Sequence, residues 1–393
     1  RYDIKRRELT EAVMQDAEYD IINPKYIPSW DYFSPVDLMT SAKDHRLLGI
    51  RYFAEKPRTI WFDQRLRRIQ ATIDHALPGT VNTIFDSNRD ENIFLVFCWS
   101  DRDPGSYYVF DWTKPTAEFR FFAERQPGVD PAKMAEMRPI SYQARDGLAI
   151  HGYLTLPPGS GEQNLPMVIM PHGGPWARDF WAWDPLVQFL ANRGYAVLQV
   201  NYRGSTGYGV DFLEKGRKQL GRGMQDDVTD GVRWAIASGV ADSKRIGIVG
   251  SSYGGYAALM GLELTPELYR CAVTLAGVTD WPELFQKLDS EIGRAYWKEL
   301  VGDPEKEIEM LRDVSPINHV EEIQAPVLIL HGQDDEIVPI SQAKKLASAL
   351  KKLHKPHLVR YFDREPHGLV DPQDRAEAFR LIDQFLAKYM PAD

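Results

Sequence analysis

Residues 245–255 read RIGIVGSSYGG, and this stretch decides how the 393-residue chain is interpreted. Its apolar first half predicts a buried strand, and the alanine-rich residues 256–264 that follow predict a helix. Between them lies a Gly-x-Ser-x-Gly turn, in which the two glycines let the strand and the helix pass without Cβ clashes. The serine hydroxyl of such a turn projects above the sheet. Ser252 is therefore a candidate nucleophile.

From about Met137 onward, short apolar strands alternate with helices, as a mostly parallel sheet covered by helices requires. The expected strands are 140–144, 150–156, 167–170, 196–200, 246–249, 272–275, 327–330 and 358–362. The first two flank the turn Arg145-Asp146-Gly147 as an antiparallel hairpin. The expected helices are 180–193, 226–238, 255–264, 341–353 and 374–389. This order predicts an α/β-hydrolase sheet of eight mostly parallel strands.

The first part of the chain shows a different pattern. Aromatic-rich strands are expected at 93–99, 107–112 and 117–122, as in a β-meander, and two more strands at 46–53 and 58–62. An amphipathic helix follows the latter two, with Leu66, Ile69, Ile73 and Leu77 on one face. Propeller blades take about 40 to 45 residues each, so this part supplies at most three blades. We expect a partial β-propeller over residues 1–135, formed of its last blades, and a catalytic hydrolase domain over residues 136–393.

Charge and hydropathy exclude two classes of partner. The 47 Lys and Arg residues against 56 Asp and Glu residues give a net charge of −9, which repels phosphate backbones and anionic membrane surfaces. No apolar run approaches the roughly 20 residues that span a bilayer. We therefore expect neither a nucleic-acid nor a membrane partner.

Two further expectations concern the state of the chain. It begins with Arg1 rather than Met, which predicts a processed or truncated chain. The compartment therefore stays open, with the cytoplasm favoured over the periplasm or secretion. A partial propeller exposes strand edges, and this predicts self-association into a homo-oligomer.

A serine hydroxyl becomes a good nucleophile only when a base removes its proton and an acid orients that base. After the strand at 327–330 the chain offers Asp334 and Asp335; we take Asp335 as the acid, with Asp334 as the alternative. After the strand at 358–362 comes His367, the predicted base. The chain order Ser, Asp, His is that of α/β-hydrolases.

Acyl transfer also needs backbone N–H groups directed at the developing oxyanion. Tyr253, directly after the serine, and Gly174, in the loop after the strand at 167–170, are the predicted donors. Trp176 and Trp181 follow this loop, where lining an apolar pocket and packing in the core are equally consistent with the sequence. No histidine pair has the context of a metal site, so neither a metal nor another cofactor is expected.

Taken together, the motifs resemble the prolyl oligopeptidase family of serine peptidases, most closely its acylaminoacyl-peptidase-like branch. The resemblance covers residues 135–393 and rests on the segments 172–175 (HGGP), 201–209 (NYRGSTGYG), 250–255 (GSSYGG), 331–339 (HGQDDEIVP) and 367–368 (HG). It implies a β-propeller ahead of the hydrolase domain, of which residues 1–135 are the last blades.

Two departures from the family pattern bear on the substrate. Members of this branch often carry an arginine two residues after the catalytic aspartate, where this chain has Ile337; Arg203 is the candidate to replace that clamp. The paired glutamates by which dipeptidyl peptidases of the family hold a free N-terminus are not evident in the first part of the chain.

The expected activity is that of a serine peptidase that cleaves aminoacyl or acyl-aminoacyl bonds of short peptides or acyl-peptides through an acyl-enzyme on Ser252. A carboxylesterase on the same fold is the alternative, because ester and amide cleavage use the same residues. A non-catalytic binding scaffold that kept the fold is the third hypothesis.

Overall fold

The computed structural model describes residues 2–3, 8–9, 12, 14–21, 37–114, 116, 118–287 and 291–392. The chain divides into two units. The first comprises Arg1–Ser100, Pro104–Val129 and Thr206–Asp211, and the second comprises Asp101–Asp103, Asp130–Ser205 and Phe212–Asp393. Residues 101–103 thus belong to the second unit although their neighbours in sequence belong to the first, and residues 206–211 belong to the first unit although their neighbours belong to the second. The sequence pattern shows neither of these segments. The domain boundary expected after residue 135 stays a prediction.

The first unit consists of antiparallel sheets and one long helix. Its elements are β1 (Tyr2–Asp3), β2 (Glu8–Leu9), β3 (Asp37–Thr40), β4 (Leu47–Phe53), β5 (Pro57–Trp61), α1 (Gln64–Ala76), β6 (Val81–Ser87), β7 (Ile93–Trp99), β8 (Ser106–Asp111) and β9 (Glu118–Glu124). They form three sheets, β1-β2, β3-β4-β5 and β6-β7-β8-β9. Asp63 caps the N-terminus of α1, because its side chain accepts a hydrogen bond from the Leu66 N–H. The predicted apolar face of α1 packs against residues of β7 and β8.

The second unit is built on one eight-stranded sheet. Its elements are β10 (Met137–Gln143), β11 (Ala149–Thr155), β12 (Leu165–Pro171), α2 (Pro185–Asn192), β13 (Ala196–Asn201), α3 (Val210–Glu214, which starts in the first unit), α4 (Gly223–Ala237), β14 (Ala241–Ser251), α5 (Tyr253–Leu264), β15 (Cys271–Leu275), α6 (Trp281–Lys287), α7 (Glu291–Leu300), α8 (Ile308–Asp313), β16 (Val327–Gly332), α9 (Ile340–Lys352), β17 (His357–Phe362) and α10 (Pro372–Tyr389).

The strand order of this sheet is β10-β11-β13-β12-β14-β15-β16-β17. The pairings β10–β11 and β11–β13 are antiparallel, and every later pairing is parallel. This is the sheet of an α/β-hydrolase, and the predicted fold class is confirmed. The carboxyl ends of β14, β16 and β17 lie at one edge, which is where ligands bind in open parallel sheets.

The prediction of the helices was less complete. The helix expected at 180–193 begins only at Pro185, because the Asp184 side chain accepts from the Leu186 and Val187 N–H groups and proline occupies the first helical position. Helices α6, α7 and α8 between β15 and β16 were not predicted. Within the part of the chain that the structure describes, no helix is both long enough and apolar enough to span a lipid bilayer.

Helix α5, which follows the serine turn, carries a buried carboxyl group next to its last residue. Glu263 is 7% exposed, and neither of its carboxyl oxygens has a hydrogen-bond partner among the described residues. Burial, reinforced by the charges of Glu321 and Glu322, raises the pKa of Glu263 well above its usual range. The ionised form of this side chain therefore opposes folding.

Glu263→Gln is expected to increase the free energy of unfolding at neutral pH by about 1–3 kcal/mol, because glutamine keeps the shape without the charge. The folded protein holds this proton more tightly than the unfolded chain, so the stability of the wild type falls as the pH rises from the unfolded pKa towards the folded one. The gain should therefore vanish below about pH 4. Urea unfolding between about pH 4 and 8 measures it, with the exposed Glu267→Gln as control. A gain independent of pH would contradict this account.

Candidate active site

Ser252 lies between the last residue of β14 and the first residue of α5. Its backbone has φ +57° and ψ −122°, a conformation that non-glycine residues rarely adopt and that persists where the surroundings impose it. The turn is tight: a Cβ on Gly250 would overlap the Gly254 carbonyl, and a Cβ on Gly254 would overlap the carbonyl oxygen of Pro171. The two glycines of the motif are thus required by close backbone approach.

The structure brings two of the predicted residues into direct contact. Asp335 follows β16, His367 follows β17, and His367 Nδ1 lies 2.8 Å from Asp335 Oδ2. Asp335 is buried while Asp334 is exposed, so the geometry favours Asp335 over the alternative. No hydrogen bond joins Ser252 Oγ to His367 among the contacts of the described residues; such bonds are often long until substrate binds.

Asp335 is held from several sides. Its Oδ1 accepts from the N–H groups of Ile337 and Val338 at 2.9 and 2.8 Å. His331 Nε2 lies 3.2 Å from Asp335 Oδ2 and 2.8 Å from the Val338 carbonyl. Burial alone would raise the pKa of Asp335, but the hydrogen bonds from His331, His367 and the Val338 N–H outweigh it and hold the pKa well below its usual range. Asp335 therefore stays ionised.

The loop that carries His367 is fixed by a second buried carboxylate. Glu365 is 3% exposed, and its two oxygens accept from the N–H groups of Val370 and Asp371 at 2.5 and 3.1 Å. The side chain thus bridges both flanks of His367. Sequence reasoning did not single out Glu365, because a glutamate in a polar loop gives no signal of burial.

The two predicted oxyanion donors lie on neighbouring segments. Tyr253 is the first residue of α5, where helix N–H groups have no intrahelical acceptor. Gly174 has φ +120°, which the loop tolerates because the residue is glycine. A Cβ on the preceding Gly173 would lie 3.6 Å from the Ser252 Cβ. This loop therefore lies directly beside the serine.

The predicted substrate contacts are less well supported. Arg203 donates to both oxygens of Asp227, at 2.8 and 2.7 Å, and to Asp146 at 2.9 Å. A substrate carbonyl would have to displace these carboxylates, which argues against Arg203 as the replacement for a clamp at Ile337. Trp181 donates from Nε1 to the Met137 carbonyl at 2.9 Å, a contact that supports the core-packing interpretation.

Trp176 belongs to a row of aromatic rings that are buried except for Trp297, which is half-buried. It meets Trp297 edge-on at 5.4 Å, Trp297 lies 6.0 Å from Trp281, and Trp281 meets Tyr256 at 5.3 Å. Tyr256 in turn lies 5.2 Å from Tyr253. The row thus connects Trp176 to the residue after the serine. Sequence reasoning missed Trp281 and Trp297, which lie in helices that it did not predict.

Over the described ranges, no group of three or more His, Cys, Asp or Glu side chains is arranged to hold a metal ion.

The sequence profile of the prolyl oligopeptidase family matches residues 181–392. The chain is 32% identical over 322 residues to dipeptidyl aminopeptidase BIII of Pseudoxanthomonas mexicana, covering 79% of this chain and 46% of that protein. It is 31% identical over 252 residues to the human acylamino-acid-releasing enzyme, covering 62% of this chain and 34% of that protein. The chain thus spans about half the length, or less, of these curated relatives.

Solved structures agree with this relationship. A puromycin hydrolase superposes with a TM-score of 0.69 at 27% identity, over 77% of this chain and 46% of that one. The acylaminoacyl peptidase of Pyrococcus horikoshii superposes with a TM-score of 0.71 over 88% of this chain and 55% of that one; its 23% identity supports the fold alone.

Proposed function

The chain belongs to the prolyl oligopeptidase family, and on that premise we propose that it is a serine peptidase that cleaves aminoacyl or acyl-aminoacyl bonds of short peptides or acyl-peptides. Ser252 is the nucleophile, His367 the general base and Asp335 the residue that orients the base. The observation that carries the proposal is the 2.8 Å contact between His367 and a buried, ionised Asp335, at the sheet edge where the Ser252 turn also lies.

In the proposed reaction, His367 Nδ1–H donates to Asp335, which leaves Nε2 free to accept the proton of Ser252 Oγ. The oxygen then attacks the carbonyl carbon of the scissile amide. Collapse of the tetrahedral intermediate breaks the C–N bond, and His367 gives its proton to the leaving amine nitrogen. Water attacks the resulting ester with His367 again as base, and the acyl group leaves as a carboxylic acid.

The developing oxyanion would accept from the backbone N–H groups of Tyr253 and Gly174. Both groups belong to segments adjoining Ser252, and backbone donors fixed in a turn need no reorganisation during the reaction. In this proposal, the row of aromatic rings from Trp176 to Tyr253 forms an apolar wall near the scissile bond.

The first part of the chain is proposed as the last blades of a β-propeller. The four-stranded antiparallel sheet β6-β7-β8-β9 has the strand number of one blade, and β3-β4-β5 has three strands of another. Exposed Phe121 and Phe122 on the outermost strand β9 support self-association as the accompanying proposal.

A carboxylesterase remains the second candidate because the substrate clamp is not evident: Ile337 occupies its expected position and Arg203 is engaged by Asp227 and Asp146. Acyl-alanine p-nitroanilide, alanine p-nitroanilide and p-nitrophenyl butyrate, assayed on one preparation with Ser252→Ala as blank, separate the two. Amide turnover lost in the blank is expected. Ester turnover alone would favour the esterase, and no turnover of any of the three would overturn both.

A further inference from the structure

We propose that His172 is a positioning residue, which fixes the direction of the Gly174 N–H by holding the Gly173 carbonyl. The inference rests on the proposed function, because it assigns a task to a side chain beside the proposed oxyanion donor. His172 directly precedes the two glycines of the loop after β12, and it is buried.

The first step is the contact between the ring and the loop. His172 Nδ1 lies 2.7 Å from the Gly173 carbonyl oxygen. A carbonyl oxygen only accepts hydrogen bonds, so Nδ1 must carry the proton and donate. The Gly173 carbonyl is therefore bound to a side chain whose own position is fixed by burial.

The second step follows from the planarity of the peptide unit. The bond between Gly173 and Gly174 is trans, since the cis bond nearby is the next one along the chain. In a trans peptide the C=O and the N–H point to opposite edges of one plane. A donor that holds the Gly173 carbonyl therefore also sets the direction of the Gly174 N–H.

The third step is that neither glycine fixes this plane by itself. Glycine has a wide choice of backbone angles, and Gly174 adopts φ +120°. A loop with two successive glycines needs an external contact to hold one peptide orientation. The His172 ring supplies that contact from one side, and the Ser252 turn limits the loop from the other.

The ring itself is anchored by two residues that follow β13. Its Nε2 lies 2.8 Å from Ser205 Oγ, whose hydroxyl also donates to the Tyr202 carbonyl at 2.6 Å. The ring stacks on Tyr202 with centroids 4.2 Å apart. The Tyr202 hydroxyl donates to the His172 carbonyl at 2.8 Å, and its oxygen lies 3.1 Å from His172 Nδ1. Burial lowers the pKa of His172 to about 4, so the ring is neutral near pH 7.

The experiment compares His172→Ala with His172→Asn, whose amide N–H follows the same bond path from Cβ as the ring Nδ1–H. His172→Ala is expected to lower kcat about 10²-fold, the size of a lost oxyanion donor, with KM within about twofold. His172→Asn should recover most of that loss. The inhibition constant of a peptide aldehyde, whose adduct oxygen occupies the oxyanion position, should rise in parallel with the loss in kcat/KM.

Ser205→Ala provides a second variant should His172→Ala fail to fold. It removes the partner of Nε2 together with the hydrogen bond to the Tyr202 carbonyl, and it leaves every residue of the glycine loop in place. A smaller loss in kcat, about tenfold, with unchanged KM is expected. His75→Ala, at an exposed position on α1, is the matched control and should leave activity unchanged.

The outcomes separate the inference from the function. An unchanged kcat in His172→Ala, or equal losses in the alanine and asparagine variants, would overturn the inference while leaving the peptidase intact. An unchanged kcat in Ser205→Ala would do the same where His172→Ala does not fold. If the wild type turns over no substrate, the proposed function fails and the inference fails with it.

Discussion

Ser252→Ala is expected to lower kcat/KM for a peptide substrate by about 10⁶-fold while the protein stays folded. Alanine cannot form the acyl-enzyme, so only the contribution of binding and of the oxyanion donors would remain. The fold should tolerate the change because the Ser252 side chain makes no capping hydrogen bond to α5. The surrounding turn imposes the strained backbone angles of residue 252, and alanine at this position would bear the same strain as serine.

Single-turnover and steady-state assays measure the loss, and the midpoint of thermal unfolding verifies the fold. Ser348→Ala is the matched control, because Ser348 is an exposed serine on α9 and its replacement should leave activity unchanged. Activity within tenfold of the wild type in a folded Ser252→Ala protein would remove Ser252 from the mechanism.

His367→Ala is expected to cause a loss of similar size, about 10⁵- to 10⁶-fold in kcat. Without the imidazole, the hydroxyl of Ser252 keeps its proton at neutral pH, and the leaving amine has no proton donor. Asp335 remains anchored, because His331 and the N–H groups of Ile337 and Val338 still donate to it. The loss should therefore be one of chemistry rather than of fold.

The residual rate of His367→Ala should rise in proportion to hydroxide concentration, since only hydroxide remains to remove the serine proton. A pH–rate profile of kcat measures this, again with His75→Ala as control. A profile that keeps the shape of the wild-type profile would show that another group is the base.

Much of the second unit follows from the sequence for a simple reason. Its inner parallel strands β12, β13, β15 and β16 are buried on both faces, so they read as short continuous apolar runs, and helices separate most of the parallel strands. The same topology brings residues that follow β14, β16 and β17 to one edge. The contact between Asp335 and His367 could therefore be predicted from the order of the motifs alone.

Other features depend on contacts that local sequence does not contain. The acids that engage Arg203 lie 57 and 24 residues away in the chain, so a free guanidinium could not be distinguished from a paired one. The sequence around Trp181 is equally consistent with a pocket and with a core. The hydrogen bond from its Nε1 to the Met137 carbonyl, which favours the core, is not visible in the sequence. The role of His172 depends on where Ser205 and Tyr202 place their side chains.

Strand β6 was missed for a related reason. Its last residues are largely exposed, including Phe85 at 61%, so the stretch lacks the clear alternation that marks a half-buried strand. Its pairing with β7 also carries a register shift between Ile84 and Asp86. Bulges of this kind change which side chains face the core, and sequence periodicity does not reveal them.

Covalent labelling with a fluorophosphonate tests the central claim most directly, because this reagent reacts preferentially with a serine that is activated as a nucleophile. Mass spectrometry of the digested wild-type protein is expected to place a single adduct on Ser252, with no adduct in Ser252→Ala and greatly slowed labelling in His367→Ala. The absence of an adduct in the folded wild type, or an adduct that persists in Ser252→Ala, would contradict the assignment.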